Sequence, residues 1–71
     1  MKNNYSKINN IKRIRERRGL TLQGLADKAG LTIHEIHFLE TDKYDLRKSK
    51  FETVIKLCNA LETTPYKIFA D

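Results

Sequence analysis

Several features that stabilise or localise small proteins are scarce in this sequence of 71 residues. Its single cysteine excludes an internal disulfide, and no apolar run approaches the roughly 18 residues that span a bilayer. No basic-then-apolar segment opens the chain as a signal peptide would. The three glycines stand singly, which excludes a glycine-rich phosphate loop. We therefore expect one small cytoplasmic domain, near the lower size limit for folding without disulfides or metals.

The apolar residues recur at helical spacing, and no segment shows the alternation of a strand. We therefore predict an all-α fold of five helices, with residues 1–7 as a flexible N-terminal arm and residues 8–71 as one domain. The predicted helices run from about Asn10 to Arg18, Leu22 to Ala29, Ile33 to Glu40, Ser49 to Leu61, and Pro65 to Phe69.

Capping residues predict where the helices begin. Thr21 and Thr32 are expected to cap the second and third helices, and Glu35 completes a capping box with Thr32. Ser49 and Glu52 predict another capping box at the start of the fourth helix. The fourth helix is expected to be the central core helix, and its predicted apolar face comprises Phe51, Val54, Ile55, Cys58 and Leu61, with Leu57 alongside.

The spacing of small and apolar residues between the second and third helices is the most informative pattern. Ala26, Gly30, Ile36 and Leu39 stand four, eight, fourteen and seventeen residues after Leu22. The spacing fits two short helices that cross closely at a small residue, Ala26, and turn at a glycine. Ile36 and Leu39 would hold the second of them down by one face. The pattern predicts a helix-turn-helix, which places its second helix in the major groove of DNA.

Basic residues cluster on either side of this motif. Residues 1–18 carry seven of the fourteen basic side chains and a single acidic one, Glu16. A second group, around residues 43–50, follows the third helix. Basic runs usually form a solvated helix face, but two of them beside a groove-reading motif favour contacts to DNA phosphates. The basic stretch lacks the wide apolar face and aromatic anchors of a membrane-surface helix.

With these elements placed, the chain resembles the Xre family of regulators, the lambda repressor and Cro type of helix-turn-helix domain. The resemblance covers roughly residues 8–70 and is carried by Ile14-Arg15, Gly19-Leu20-Thr21, Leu25-Ala26, Ala29-Gly30, Ile36, Leu39-Glu40, Leu57, Ala60-Leu61, Pro65 and Ile68-Phe69. It implies a five-helix lambda-repressor-like fold and a sequence-specific transcriptional regulator, expected to be a repressor, that binds an operator with inverted half-sites as a homodimer. The family also implies a structural pair between Arg15 and Glu40.

The expected base readers lie along the outward face of the third helix and are Ile33, His34, His37 and Phe38. None of them is an arginine, lysine, asparagine or glutamine, the residues that make the common bidentate contacts to guanine or adenine. The expected phosphate contacts are Arg15, Thr21, Gln23, Thr32, Lys43, Tyr44, Arg47 and Lys48.

Two other functions are compatible with the sequence. A protein-binding module would use the apolar residues Ile33, Phe38, Tyr44 and Phe69 as its surface, and an antitoxin-like accessory factor would combine both activities. Two histidines three residues apart lack a suitable third metal ligand, so no metal or cofactor is expected. We do not expect catalysis, because no Ser/His/Asp or Cys/His set would have a credible pocket in a five-helix domain of this size. We expect no small-molecule ligand either, because the sequence leaves no room for a sensing domain after the fifth helix.

Overall fold

The computed structural model describes residues 10–41 and 48–69, and these residues form five helices and no strand. The prediction of an all-α, lambda-repressor-like fold is confirmed, whereas the predicted arm of residues 1–7 lies outside the described residues. The helices are α1 (Ile11–Arg17), α2 (Leu22–Ala29), α3 (Ile33–Glu40), α4 (Phe51–Leu61) and α5 (Pro65–Phe69). No helix within these two ranges is long and apolar enough to cross a membrane.

Helices α1 and α2 each end at a glycine in the left-handed conformation. Gly19 has a φ of 75° and Gly30 a φ of 71°, values that a residue with a Cβ atom adopts only at an energetic cost. After α2, the Leu31 N–H donates to the carbonyl of Ala26 at 3.0 Å, which is the hydrogen bond of a Schellman motif. The motif reverses the chain within two residues and so makes the tight turn between α2 and α3.

Helix α4 ends in the same way without a glycine. Glu62 has a φ of 56° and a ψ of 49°, and the Thr63 N–H donates to the carbonyl of Cys58 at 2.9 Å. The left-handed conformation strains an L-residue, so Glu62 is a site of backbone strain that the sequence pattern did not indicate.

Two of the predicted N-caps on the helix-turn-helix are confirmed. The Thr21 hydroxyl accepts from Gly24 N–H at 2.9 Å, and Thr32 forms the complete capping box with Glu35. The capping box predicted at Ser49 is wrong. The Lys50 carbonyl accepts the first helical hydrogen bond of α4, so Lys50 is the N-cap and its side chain makes no capping bond.

The core is one cluster to which all five helices contribute. Its buried members are Ile11, Leu25, Ala26, Ala29, Ile36, Leu39, Val54, Leu57, Cys58, Ala60, Leu61 and Ile68. The Cys58 side chain is buried as predicted, and desolvation raises the pKa of its thiol. Ile14 and Phe69 are partly buried and pack against this cluster, which places Phe69 with the core.

The predicted apolar face of α4 is wrong at one end. Phe51 is 76% exposed, whereas Leu57 is fully buried and Ala60 nearly so. Helix α4 packs on α2 and α5, and its buried residues begin only at Val54. The first turn of α4 therefore carries no buried side chain, although its sequence continues the apolar spacing.

Helix α1 is tied to the carboxyl-terminal end of the domain by hydrogen bonds to backbone carbonyls. The Asn10 side-chain amide donates to the carbonyl of Lys67 at 3.0 Å. Arg18 donates from Nε to the carbonyl of Leu61 and from Nη2 to that of Glu62, both at 2.9 Å. These bonds fix α1 across the ends of α4 and α5.

Two of the three left-handed positions, Gly30 and Glu62, generate a paired prediction. Glu62→Gly should stabilise the domain by about 1 kcal/mol, because glycine adopts this conformation without strain. Gly30→Ala should destabilise it by about the same amount, and through the backbone alone, since a Cβ atom there would meet nothing within 4 Å. Urea unfolding measures both changes.

A control separates backbone strain at Glu62 from the loss of its charge. The Glu62 carboxylate lies 4.0 Å from the Lys28 ammonium and both side chains are exposed, so the ion pair contributes little. Glu62→Gln keeps the Cβ atom and removes the charge, and it should change stability by only a few tenths of a kcal/mol. Destabilisation by Glu62→Gly would contradict the assignment of strain.

Candidate nucleic-acid interface

Helix α3 is attached to the domain by one face. Ala26 on α2 is fully buried, and so is Ile36 on α3, while Leu39 is nearly so. The left-handed turn at Gly30 reverses the chain between α2 and α3. The small side chain of Ala26 leaves room for the two helices to cross closely. Each of these four residues has the structural role predicted from its spacing.

The opposite face of α3 is open to solvent. Ile33, His34, His37 and Phe38 are all exposed, Ile33 at 37% and Phe38 at 54%. All four predicted base readers therefore share one accessible surface, which is the property a groove-reading helix needs. Two of them are apolar, and the only polar donors or acceptors among them are imidazole nitrogens.

A buried ion pair joins α1 to the end of α3. Arg15 Nε lies 2.6 Å from Glu40 Oε2, and Arg15 Nη2 donates to Oε1 at 3.2 Å, so the contact is bidentate. Arg15 Nη1 also donates to the carbonyl of Leu20 at 2.8 Å, in the turn between α1 and α2. The two side chains are only 10% and 7% exposed. The hydrogen bond to Glu40 raises the pKa of the Arg15 guanidinium.

This geometry confirms Arg15 and Glu40 as a structural pair. It argues against the second role expected for Arg15, because a phosphate cannot reach a buried guanidinium whose three nitrogens already donate within the domain. We therefore leave Arg15 out of the surface proposed for DNA.

The capping box at the start of α3 favours the ionised form of the Glu35 carboxyl. Its carboxylate accepts from the Thr32 N–H at 2.8 Å, and the Thr32 hydroxyl accepts from the Glu35 N–H at 3.1 Å. The backbone bond from Thr32, and then the side-chain bond, lower the pKa of the Glu35 carboxyl. Glu35 is thus an ionised helix cap beside the predicted readers.

The polar side chains at the starts of α2 and α3 are the predicted phosphate contacts within the helix-turn-helix. The Thr21 hydroxyl is used as the N-cap, and the Gln23 side-chain amide donates to the Asp27 carboxylate at 2.9 Å. Thr21, Gln23 and Thr32 are exposed, and the amino-terminal ends of helices favour anions.

A shallow groove of about 360 Å³ separates α3 from the start of α4. Phe38 and Leu39 line it on one side, and the cationic residues Lys48 and Lys50 on the other. Both lysines are exposed. The remaining predicted phosphate contacts, Lys43, Tyr44 and Arg47, lie outside the described residues.

Two exposed arginines of α1 line a cleft to which α3 contributes no residue. Arg13 and Arg17 are exposed and stand four residues apart, whereas Arg15 between them is buried. A helical wheel places Arg13 and Arg17 nearly opposite Arg15. Lys2 and Lys7 of the predicted basic cluster lie outside the described residues, and Arg13 and Arg17 line a separate cleft with Lys67 of α5.

A model of the helix-turn-helix domain family matches residues 8–71. The chain belongs to this family. No curated protein matches the sequence. The match extends over all five helices of the helix-turn-helix domain, and it supports DNA binding as the general activity. Domains of this family are typically non-enzymatic, and among the described residues no group of three histidine, cysteine or acidic side chains could hold a metal ion.

The buried ion pair generates a stability prediction for the helix-turn-helix domain. Arg15→Met should destabilise it by about 3 kcal/mol, because it leaves the Glu40 carboxylate buried without its partner. The double variant Arg15→Met, Glu40→Leu should recover much of that loss, since it removes both charges. Urea unfolding tests the pair. If the double variant lost as much free energy of unfolding as Arg15→Met and Glu40→Leu lose together, direct coupling of the two side chains would be ruled out.

The capping box predicts an acid-dependent term in stability. A carboxyl whose pKa is lower in the folded state stabilises the fold fully above its unfolded pKa, and this contribution disappears as the pH falls through the folded value. Glu35 should therefore contribute at pH 7 and lose its contribution below about pH 4.5, the ordinary value of the group.

Two substitutions isolate this term from other titrating carboxyls. Glu35→Gln keeps an acceptor for the Thr32 N–H without a charge, so the stability difference from the parent should shrink as the pH is lowered from 7 to 3. Glu35→Ala removes the acceptor and should be less stable than Glu35→Gln at every pH. Thermal unfolding across this range measures both differences, and a pH-independent gap between parent and Glu35→Gln would contradict the prediction.

Proposed function

We propose that this chain is a sequence-specific transcriptional regulator of the Xre type, a repressor that binds its operator as a homodimer. The proposal rests mainly on the way α3 is held against the domain. Its buried side is fixed by Ile36 and Leu39, its end is fixed by the ion pair of Glu40, and its other side is exposed. A rigid helix with one free face is suited to enter the major groove.

The exposed face of α3 favours particular bases. Ile33 and Phe38 are suited to pack on the methyl group of thymine, and the rings of His34 and His37 can donate to guanine N7 or O6 or to phosphate. With its carboxylate already engaged in the capping box, Glu35 is a poor reader of cytosine. The operator is therefore expected to be rich in A·T pairs opposite the two apolar residues.

Affinity would come mainly from phosphates. Among the described residues, the exposed lysine Lys48 and the helix starts at Thr21, Gln23 and Thr32 are the proposed contacts. Lys50, in the same groove as Lys48, is added to them on the basis of its position. Lys43, Tyr44 and Arg47 remain proposed contacts from the sequence. Such contacts position the domain on the duplex without reading its sequence.

A dimer follows from the small number of readers. Four side chains, two of them apolar, give little discrimination, whereas two half-sites multiply it. The half-sites should be centred about 10 base pairs apart, one helical turn of DNA. Tyr66 on α5 is 80% exposed and is our proposed interface residue. Phe69 on the same helix packs against the core and is left out of this interface.

Selection of bound sites from a random pool of duplex DNA tests the proposal. The parent should enrich an inverted repeat, and the variant His34→Ala, Phe38→Ala should lose that enrichment while it keeps the fold. Tyr66→Ala should reduce the dimer fraction on the enriched site in sedimentation experiments. Enrichment of no sequence at moderate salt would exclude a sequence-specific regulator.

The exposed apolar residues of α3 favour a second candidate function, a protein-binding module or an antitoxin-like accessory factor. Phe38 and Ile33 offer a partner apolar area that a groove reader does not require. Salt separates the two functions, because DNA binding through several phosphates weakens steeply with ionic strength. Apolar association with a protein depends on salt far less.

Lys48 generates a quantitative prediction. Lys48→Gln should weaken binding to all duplexes alike and flatten the slope of log affinity against log salt by about one unit. Lys28→Gln is the matched control, since it removes the same charge from the end of α2 beside Glu62 and should leave the slope unchanged. A change of base preference in Lys48→Gln would instead place this residue among the readers.

A further inference from the structure

A cationic cleft lies between α1 and the carboxyl-terminal end of the domain. Its volume is about 340 Å³, and four basic side chains line it: Arg13 and Arg17 from α1, Arg18 directly after α1, and Lys67 from α5. Of the described residues that line it, none is acidic and none belongs to α2 or α3. This cationic cleft is thus separate from the surface proposed for groove reading.

The positive charge of the cleft is not neutralised by ion pairs within the described part of the chain. Arg13, Arg17 and Lys67 form no salt bridge there. Arg18 donates to two backbone carbonyls, which hold its guanidinium in place and carry no net charge. Like charges four residues apart on a helix, such as Arg13 and Arg17, destabilise it slightly. Arg18 thus has a structural role, whereas the charges of Arg13 and Arg17 are not needed to hold the helices together, and a bound anion would relieve their repulsion.

The shape and chemistry of the cleft indicate the kind of anion. Guanidinium groups present paired N–H donors that match the oxygens of phosphate. Four cations exceed what a single carboxylate needs. The other residues that line the cleft are Asn10, Ile14 and Thr63, so no aromatic ring among the described residues there could stack on a base.

We infer that the cationic cleft binds adjacent phosphate groups. Two sources share this chemistry, the sugar–phosphate backbone of DNA and a free di- or triphosphate. In either case the cleft recognises charge and not base identity. The inference does not depend on the proposed function, because the cleft can be probed without DNA.

Titration with inorganic pyrophosphate at low ionic strength tests the inference. Calorimetry should show saturable binding at one site per chain, with backbone amide shifts centred on Arg17, Thr63 and Lys67. The variant Arg13→Gln, Arg17→Gln should weaken binding about tenfold or more, because it removes charged donors to phosphate. Both arginines are exposed, so the variant should keep the parent melting temperature.

The matched control removes two charges elsewhere. Lys28→Gln, Lys56→Gln lowers the net charge equally from α2 and α4, and it should change pyrophosphate affinity less than twofold. Equal loss in both double variants would show a general charge effect and overturn the inference. So would the absence of saturation at millimolar pyrophosphate, or tighter binding of a decaglutamate peptide, which would assign the cleft to an acidic protein.

A second titration, in the presence of a saturating duplex, distinguishes the two sources. Exclusion of pyrophosphate by the duplex would identify the DNA backbone as the occupant of the cleft. Simultaneous binding of both would identify a free di- or triphosphate. If the chain bound no duplex at all, the proposed function would fail. The pyrophosphate titration would still show whether the cationic cleft binds phosphate groups.

Discussion

The orientation of α3 depends on one buried interaction, the ion pair between Arg15 and Glu40. A single guanidinium binds the last residue of α3 and also the Leu20 carbonyl in the turn before α2. It therefore links α1, the entrance to α2 and the end of α3. A buried charge is strongly destabilising without its partner, so Arg15 and Glu40 must stay together. The pair therefore admits few alternative arrangements of these elements. Apolar packing alone, through Ile36 and Leu39, would leave the end of α3 less constrained.

Local signals explain why so much of the fold was predictable. The Ala26 and Gly30 spacing, the cap at Thr21 and the capping box at Thr32 each act within a few residues, so the sequence contains their cause. The predictions failed at the start of α4. Phe51 continues the apolar spacing of α4, yet burial there begins only one turn later. The N-cap falls on Lys50, one residue after the serine that the capping pattern indicated.

Part of the candidate site could likewise be predicted from the sequence, and part becomes visible only in the folded chain. The exposure of the four predicted readers on α3 follows from the burial of Ile36 and Leu39 and could be predicted by periodicity. The pair of Arg15 with Glu40 was expected from the family resemblance, whereas the burial that argues against a phosphate contact of Arg15 is not visible in the composition of the first 18 residues. Helical geometry separates Arg15 from Arg13 and Arg17, which lie nearly opposite. A helical wheel would have found this separation, but the facing residue Lys67 becomes visible only in the folded chain.

The distribution of hydrogen-bond donors connects the two surfaces. On α3 the outward side chains are two apolar residues and two imidazoles, so few directional bonds to bases are available there. Nearly all of the guanidinium donors of α1 lie elsewhere, in the ion pair or in the cationic cleft. Under the proposed function, a domain built in this way separates shape recognition in the groove from charge recognition at phosphates. The proposed regulator would then draw its specificity from apolar fit, from the local shape of DNA and from the pairing of half-sites, since the exposed face of α3 offers few strong single contacts to bases.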